Sequence, residues 1–515
     1  MATLALSLAA TRGSAAACQS TCTAQLAECK RTCPEGGQAR RDCREACADR
    51  STCTAPGARI RTLAYVVSEC RQDARGVTGS SVLWIRRGNC DPVRVVEFGN
   101  TEPLPDPLMA LGGTCRVYGL SRQGAWSVGG WPLQRLGVRR DGSGMAFELT
   151  DDFDLVSFGL SPEQKGIFFV GSDGHGLRRL GPASRDRSSR LSVDFSLPTR
   201  LRGGLAVALP FSPDGRNIVF TDLGPGPTGE DAVQIWTQDV ATGRRTQVTH
   251  LPAAEHFPFT TWQPVFVNDE TIQFYSVANS DGLNPAGTIR VYTVKTNGTG
   301  LRVSAEPVTA TGSHIIDEFG LTGGRGFVRT LELPGTPVNQ GPAIREVFLL
   351  DKKNLLQLTN FRRSDTLGLS QSVDGRRTFF YSAADPLKQN PTENCQLFSI
   401  DRVGGHLHQL TNFSDGPHSV AGCFGLSPPG CSFTFSQFVQ DPVTGSVVFD
   451  TTCDPFGTNL STNPSGNELF TMQPHGTRAD DAGLRQLTHT RGFVSEPDGS
   501  IDVEYPGPWA YSGLE

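Results

Sequence analysis

Long apolar runs are missing from this chain. No stretch of about 18 consecutive apolar residues occurs, so no helix of the sequence has the makings of a membrane span. A nucleophile elbow, G-x-S-x-G, is missing as well, and the repeats described below leave too few residues for an α/β-hydrolase domain. Net charge is scarce: −5 over 515 residues. That predicts no general affinity for nucleic acid and no strong steering of charged partners. What is plentiful is Gly (58) and Pro (34), the punctuation of many short strands joined by turns.

The strands repeat. The clearest copy runs Leu209-Pro-Phe-Ser-Pro-Asp-Gly215, Asn217-Ile-Val-Phe-Thr221, Val233-Gln-Ile-Trp-Thr237, Asp239 to Gly243 and Thr246-Gln-Val-Thr249. A unit of about fifty residues made only of strands predicts a ring of four-stranded sheets, an all-β propeller. Six modules align. Second strands centre on aromatics at Phe147, Phe220, Phe274, Phe327, Phe379 and Phe449, and third strands at Phe168, Trp236, Tyr292, Phe348, Phe398 and Phe470. Bulky residues at mid-strand fill the wedge between blades. Edge strands end Gln247-Val-Thr249, Gln357-Leu-Thr359, Gln409-Leu-Thr411 and Gln486-Leu-Thr488.

These repeats resemble those of TolB-like propellers, periplasmic relatives of WD40 (PD40) domains, over about residues 130–490. The match is specific at Phe211 to Phe220 and good at Ser372 to Thr411; Val267-Asn-Asp-Glu270 and Leu321-Thr-Gly-Gly324 depart from S-P-D-G. The resemblance implies six blades. The chain ends argue for seven, because residues 62–99 read as a module without its first strand and 503–512 as a first strand without its module. Joining them would remove two exposed edges. The alternative leaves the N-terminal segment as an appendage of a six-bladed ring. The expected organisation is therefore a signal-like segment at 1–17, a cysteine-rich module at 18–58 and the propeller at 59–515.

Cysteine is unevenly placed: ten of 14 precede residue 116 and four lie between Cys395 and Cys453. An even, clustered count predicts disulfides and an oxidising compartment, periplasmic or secreted. Cys18, Cys22, Cys29 and Cys33 share a helical stripe, Pro34-Glu-Gly-Gly37 breaks it, and Cys43 and Cys47 follow four residues apart. Folded back, Cys33 meets Cys43, Cys29 meets Cys47 and Cys22 meets Cys53. The arrangement resembles an α-hairpinin, a helical hairpin stapled by disulfides because so small a core cannot hold it. Structural zinc is the alternative. Cys18 after Ser14-Ala-Ala-Ala17 also offers a lipid-anchor position, although Ala15 stands where a lipobox has Leu.

Connections sort by face. First-to-second and third-to-fourth turns are short; second-to-third loops such as Asp222 to Ala232 and Ala384 to Asn394 are long, as are blade links such as Gly181 to Gly204. The alternation puts both long classes on one face, where binding residues are held by the scaffold. His314, Asp317 and Glu318 fall on an inner strand facing the axis and could hold a cation or sugar. Asp151, Asp152 and Asp154 form an acidic loop, and Arg185, Arg187, Arg190, Arg200 and Arg202 gather on one link. His406 and His408 alternate onto one face of an outer strand. Sequons stand at Asn297, Asn412 and Asn459. The bland reading of all of these is solvated surface. The combined expectation is an extracytoplasmic module, without cofactor, that binds another protein or an envelope component through its loop-rich face. The alternative is a propeller enzyme, such as a metal-dependent polysaccharide lyase built around His314.

Overall fold

In the computed structural model the described residues are 62–73, 76–87, 92–104, 117–121, 124–127, 133–139, 141–150, 163–185, 207–208, 210–253, 261–282, 284, 290–305, 314–320, 327–339, 343–351, 354–372, 375–413, 423, 438–440, 446–451, 468–472, 484–490, 492–495, 497–498 and 500–511. The expected cysteine hairpin, with Cys22, Cys29, Cys33, Cys43, Cys47 and Cys53, lies outside them, as does the anchor candidate Cys18.

Alternating apolar runs between Gly-rich turns form sequential antiparallel sheets, numbered here as blades. Blade 1 comprises Leu133–Val138, Gly144–Leu149, Gly166–Gly171 and Arg178–Gly181. Blade 2 comprises Asn217–Pro225, Asp231–Asp239 and Arg245–Gln247, with Phe211 bridging to Ile218 at its inner side. Just before, Val207–Ala208 pairs in parallel with the inner strand of blade 1. Blade 3 holds Thr261–Asn268, Thr271–Ser276, Arg290–Lys295 and Arg302–Ala305. Blade 4 holds His314–Gly320, Phe327–Leu333, Ile344–Asp351 and Asn354–Gln357. Blade 5 holds Leu367–Gln371, Arg377–Ser382, Gln396–Asp401 and His408–Gln409. Blade 6 holds Val439–Gln440, Val447–Thr451, Glu468–Met472 and Arg485–Gln486.

The seventh blade joins the two ends of the chain. Its strand order is Val93–Leu104, Gly76–Arg87, Thr62–Asp73, Ile501–Tyr511 and Gly492–Ser495. Leu63 pairs with Tyr511 and Gln72 with Ile501. The two sequence fragments thus complete one sheet, and a fifth strand, Gly492–Ser495, adds to what the sequence suggested. Residues 117–127, for which the repeat pattern offers no place, form a separate hairpin of Val117–Ser121 and Gly124–Ser127.

Cores lie between blades. Ile167 and Leu180 of blade 1 pack with Ile218 and Phe220 of blade 2. Val219 and Ile235 pack with Phe274 and Tyr292, Tyr275 and Val291 with Leu350, Val347 and Leu349 with Phe380 and Phe398, Phe379 and Tyr381 with Phe449 and Phe470, and Val448 and Leu469 with Leu63 and Tyr65. The ring closes where the Thr62 hydroxyl donates to the carbonyl of Gly142 at 2.8 Å. Opposed aromatics stack across the second and third strands: Phe147 on Phe168 at 5.4 Å, Phe274 on Tyr292 at 5.6 Å and Phe380 on Phe398 at 5.4 Å. In blade 4 the aromatic that the pattern leads one to expect opposite Phe348 is instead a buried Arg329.

The S-P-D-G turn explains its own residues. Ser212 Oγ accepts the amide of Asn217 at 2.9 Å and donates to Asp214 Oδ1 at 2.6 Å, which in turn accepts the amide of Arg216 at 3.0 Å. Gly215 takes φ 71°, a left-handed conformation open to glycine. The Asp214 amide donates to Asp269 Oδ1 of blade 3 at 2.9 Å, so the turn also ties neighbouring blades.

Candidate functional site

The loop-bearing face is assembled from second-to-third connections and blade links, which the meander brings to one end of every blade. Two of its parts are knit by side chains. At blade 5, Asp385 Oδ1 accepts the amides of Gln389 at 2.6 Å and Asn390 at 2.7 Å. The buried Asn390 donates to the carbonyls of Ala383 at 3.2 Å and Asn394 at 2.8 Å. Cys395, next in the chain, is joined to Cys423 by a disulfide that fastens this loop to the following link.

Between blades 4 and 5 lies a cluster of charges that sequence reasoning missed. Arg363 grips Asp365 through two bonds, Nε to Oδ1 at 2.8 Å and a terminal nitrogen to Oδ2 at 3.1 Å, and reaches Glu393 at 3.1 Å. Burial works against the Arg363 charge, but Asp365 and Glu393 outweigh it and raise its pKa. Arg345 and Glu332 lie beside it, 3.8 Å apart, and the Arg345 amide donates to the Arg363 carbonyl at 2.7 Å. Asn339 Oδ1 accepts the Ser364 amide at 3.1 Å, and the Val338 amide donates to the Arg362 carbonyl at 2.9 Å. Beneath them burial raises the pKa of the Tyr381 phenol, with Arg345 opposing and Asp365 adding to the effect. Three non-glycine residues of this region take left-handed backbone: Arg362 (φ 55°), Lys388 (φ 56°) and Glu393 (φ 55°). Exposed Val338 and Glu393 rim the cluster, and exposed Lys388 lies on the same loop as Glu393.

A second cluster sits where blade 1 meets blade 2. Arg135 pairs with Glu148 at 3.0 Å with both side chains buried, and Arg245 pairs with Asp222 at 3.0 Å. Both guanidinium groups stand over the Phe220 ring, Arg135 at 5.7 Å and Arg245 at 4.6 Å from its centroid. Burial lowers the Arg245 pKa, with Asp222 opposing it. Two cations and two carboxylates balance here, the arrangement of a structural joint.

Residues singled out in the sequence fall as follows. A bulge between Ile315 and Asp317 sets His314 opposite Glu332, Asp317 opposite Thr330 and Glu318 opposite Arg329, so the three do not stand in one row of the inner strand. Arg185 is tied down: its amide donates to Asp222 Oδ1 at 2.6 Å and its guanidinium to the Leu223 carbonyl at 3.0 Å. Asp151, Asp152, Asp154, Arg187, Arg190, Arg200 and Arg202 lie outside the described residues. His406 is not on a strand; it occupies a turn at φ 44° with Nδ1 2.8 Å from Asp401 Oδ2, on the opposite face from the long loops. His408 stands on the outer strand, its pKa lowered by burial and by Arg377 and His406. No group of three or more His, Cys, Asp or Glu side chains placed to hold a metal occurs among the described residues. No helix among them is long and apolar enough to cross a membrane.

The chain is a β-propeller, defined by its own sequence of closed sheets. No family model matches it and no curated protein matches it. Solved structures similar to it include an oligogalacturonate lyase from Vibrio parahaemolyticus, 11% identical with TM-score 0.39, over 75% of this chain and 85% of that one. The β-propeller domain of the Trilobed protease from Pyrococcus furiosus is 14% identical with TM-score 0.37, over 70% and 87%. A TolB-type protein from Agrobacterium tumefaciens is 14% identical with TM-score 0.32, over 58% and 89%.

Proposed function

We propose that the chain is an extracytoplasmic binding module that engages another protein through the loop-rich face at blades 4 and 5. The observation that carries this reading is that Arg362, Lys388 and Glu393, all left-handed, stand on the blade link and the blade 5 loop that the Arg363–Asp365–Glu393 network joins. Left-handed backbone at bulky residues costs free energy of order 1–3 kcal/mol each, and such strain concentrates where surrounding structure holds a surface ready for a ligand. A pre-ordered surface loses little entropy on association. The Cys395–Cys423 disulfide supports an oxidising compartment. In this reading the chain binds and does not catalyse.

The test is capture from detergent-solubilised envelope of the source organism, with the chain made in an oxidising compartment. The triple variant Val338→Asp, Lys388→Glu, Glu393→Lys alters the rim of the surface. It should weaken capture of a stoichiometric partner at least about tenfold, the scale of one interfacial anchor. Arg216→Glu, an exposed change in the S-P-D-G turn of the opposite face, should leave it intact. Equal loss in both variants, or none in either, removes the assignment of this face.

A further inference from the structure

Four blades share a clasp that pins the Thr just past the edge strand to the third-strand residue two positions before its aromatic. Thr249 Oγ1 donates to Gln234 at 2.9 Å, Thr359 to Glu346 at 2.6 Å, Thr411 to Gln396 at 2.8 Å, and Thr488 to Glu468. In each, the hydroxyl also accepts the amide of the following strand residue, at 2.8 to 2.9 Å.

The chemistry differs between the two acceptor types. An amide both accepts and donates; a carboxylate only accepts. Gln234 and Gln396 therefore accept the amide two residues past the Thr (Leu251 at 2.8 Å, Phe413 at 3.0 Å) and donate to the carbonyl of that same residue, at 2.8 and 3.0 Å. Glu346 has no proton to give. Beside the Phe361 amide, it takes on Oε1 the amide of Arg362 at 2.5 Å, one residue further along, and Arg362 adopts φ 55°. The left-handed turn thus brings an additional donor to a fully buried carboxylate. Glu468 finds its extra donor differently, in the hydroxyl of Thr490 at 2.6 Å.

We infer that Glu346 is a proton-sensitive latch: ionised, it holds Arg362 left-handed and the blade 4–5 surface in its observed form; protonated, it bonds as Gln234 and Gln396 do and releases Arg362. The proton given to one carboxylate oxygen supplies the O–H that the Phe361 carbonyl accepts, the counterpart of Leu251 and Phe413. The remaining oxygen serves the Phe361 amide, and the Arg362 amide loses its acceptor. Everything hung on that turn follows it: the Val338 amide on the Arg362 carbonyl, the Arg345 amide on the Arg363 carbonyl, and the grip of Arg363 on Asp365 and Glu393.

The charged and titratable groups around the latch are Arg345 on its own strand, Glu332 on the next, Arg362, Arg363 and Asp365 on the link, and Glu393 and Tyr381 of blade 5. No side-chain ion pair joins Glu346 to any of them; its bonds come from Thr359 and from backbone amides. Burial accordingly raises the Glu346 pKa, against the lowering by Thr359, Arg362 and Phe361. The region controlled is the surface of the proposed function, so the role as a regulator rests on that reading. The latch itself does not.

The test is hydrogen exchange of the full chain followed by mass spectrometry, from about pH 8 to about pH 4.5 and corrected for intrinsic rates, a range that brackets a raised Glu. Peptides carrying the Arg362 and Val338 amides should lose about tenfold protection on acidification. Glu346→Gln, which places in blade 4 the residue blades 2 and 5 already use, should show the low-protection state at every pH. Arg362→Gly keeps the amide and favours the same φ, so it should retain the pH response. Unchanged protection in the native chain, or an identical pH response in Glu346→Gln, overturns the latch. Loss of partner capture without any exchange response would spare the binding surface and remove only its regulation.

Discussion

At the scale of single residues, the Thr of each Q-L-T ending is worth more than its place just past an edge strand suggests. Thr411 bonds both the Gln396 side chain and the Leu397 amide, all buried. Thr411→Val keeps the shape, strands the Leu397 amide and leaves the Gln396 oxygen with the Phe413 amide alone, so the loss should be about 1–3 kcal/mol in urea unfolding. A change within about 0.5 kcal/mol would mean that water replaces the hydroxyl. The ending itself was plain in the sequence; its partner was not, because that residue lies 13 to 20 positions earlier and alternates between Gln and Glu. The Glu346 version carries a sign. Its folded pKa is raised above the ordinary 4.5, so the folded state holds the proton more tightly than the unfolded chain. Its contribution is therefore fully present below the ordinary value and lost as pH rises through the raised one. The stability of Glu346→Gln minus that of the native chain should climb with pH across that window, and a flat difference would contradict the shift.

At the scale of elements, two loops prove to be one design. Ser276-Val-Ala-Asn279 with Asn284, and Ser382-Ala-Ala-Asp385 with Asn390, share their spacing and their bonds. The Ser hydroxyl accepts the amide two residues on at 3.0 and 3.1 Å; the Asx oxygen accepts the later Asn amide at 2.8 and 2.7 Å; the Asn side chain returns to the carbonyl after the Ser at 3.1 and 3.2 Å. The sequence displayed the second of these, Ala384 to Asn394, as a long loop, since polar residues without period read as irregular. What it hid was their internal order. The stretch Asp222 to Ala232 erred the other way: its Gly and Pro suggested a loop, yet Asn217–Pro225 and Asp231–Asp239 pair along their full length and leave only Gly226 to Glu230 as the turn. Asp222 survives in a strand because Arg245, Arg185 and Ser184 satisfy it. Blade 5 has the further fastening of Cys395 to Cys423, 28 residues apart. Replacing both by Ser should cost about 2–4 kcal/mol. Proteolysis should then cut the 383–395 loop sooner than the 277–284 loop, which lacks the fastening. Equal cutting would show that the Asn390 network alone holds it.

At the scale of the whole molecule, a ring of sheets has no natural end, and the chain supplies one by returning to where it began. Thr62–Asp73 and Ile501–Tyr511 were legible as complementary fragments because each lacked what the other had. The fifth strand, Gly492–Ser495, was not, since four residues after a blade link carry too little pattern to separate strand from loop. The closing sheet is also the joint between the first and sixth blades: Leu63 and Tyr65 pack on Val448 and Leu469, Arg86 donates to the Leu487 carbonyl at 3.2 Å, and Thr62 holds Gly142. Burial pushes the Tyr65 phenol up to about 12, with Arg86 opposing and Glu468 adding. Truncating the chain after Ser500 removes one strand but unpairs two, Thr62–Asp73 on one side and Gly492–Ser495 on the other. Exposed strand edges invite pairing with other chains, and in a ring each blade is stabilised by both neighbours. The truncated chain should therefore elute as oligomers on size exclusion, and blades 1 and 6 should gain hydrogen exchange while blades 3 and 4 change little. A monomer with uniform protection would mean that six sheets hold together without the clasp, and that Ile501–Tyr511 covers the ring without closing it.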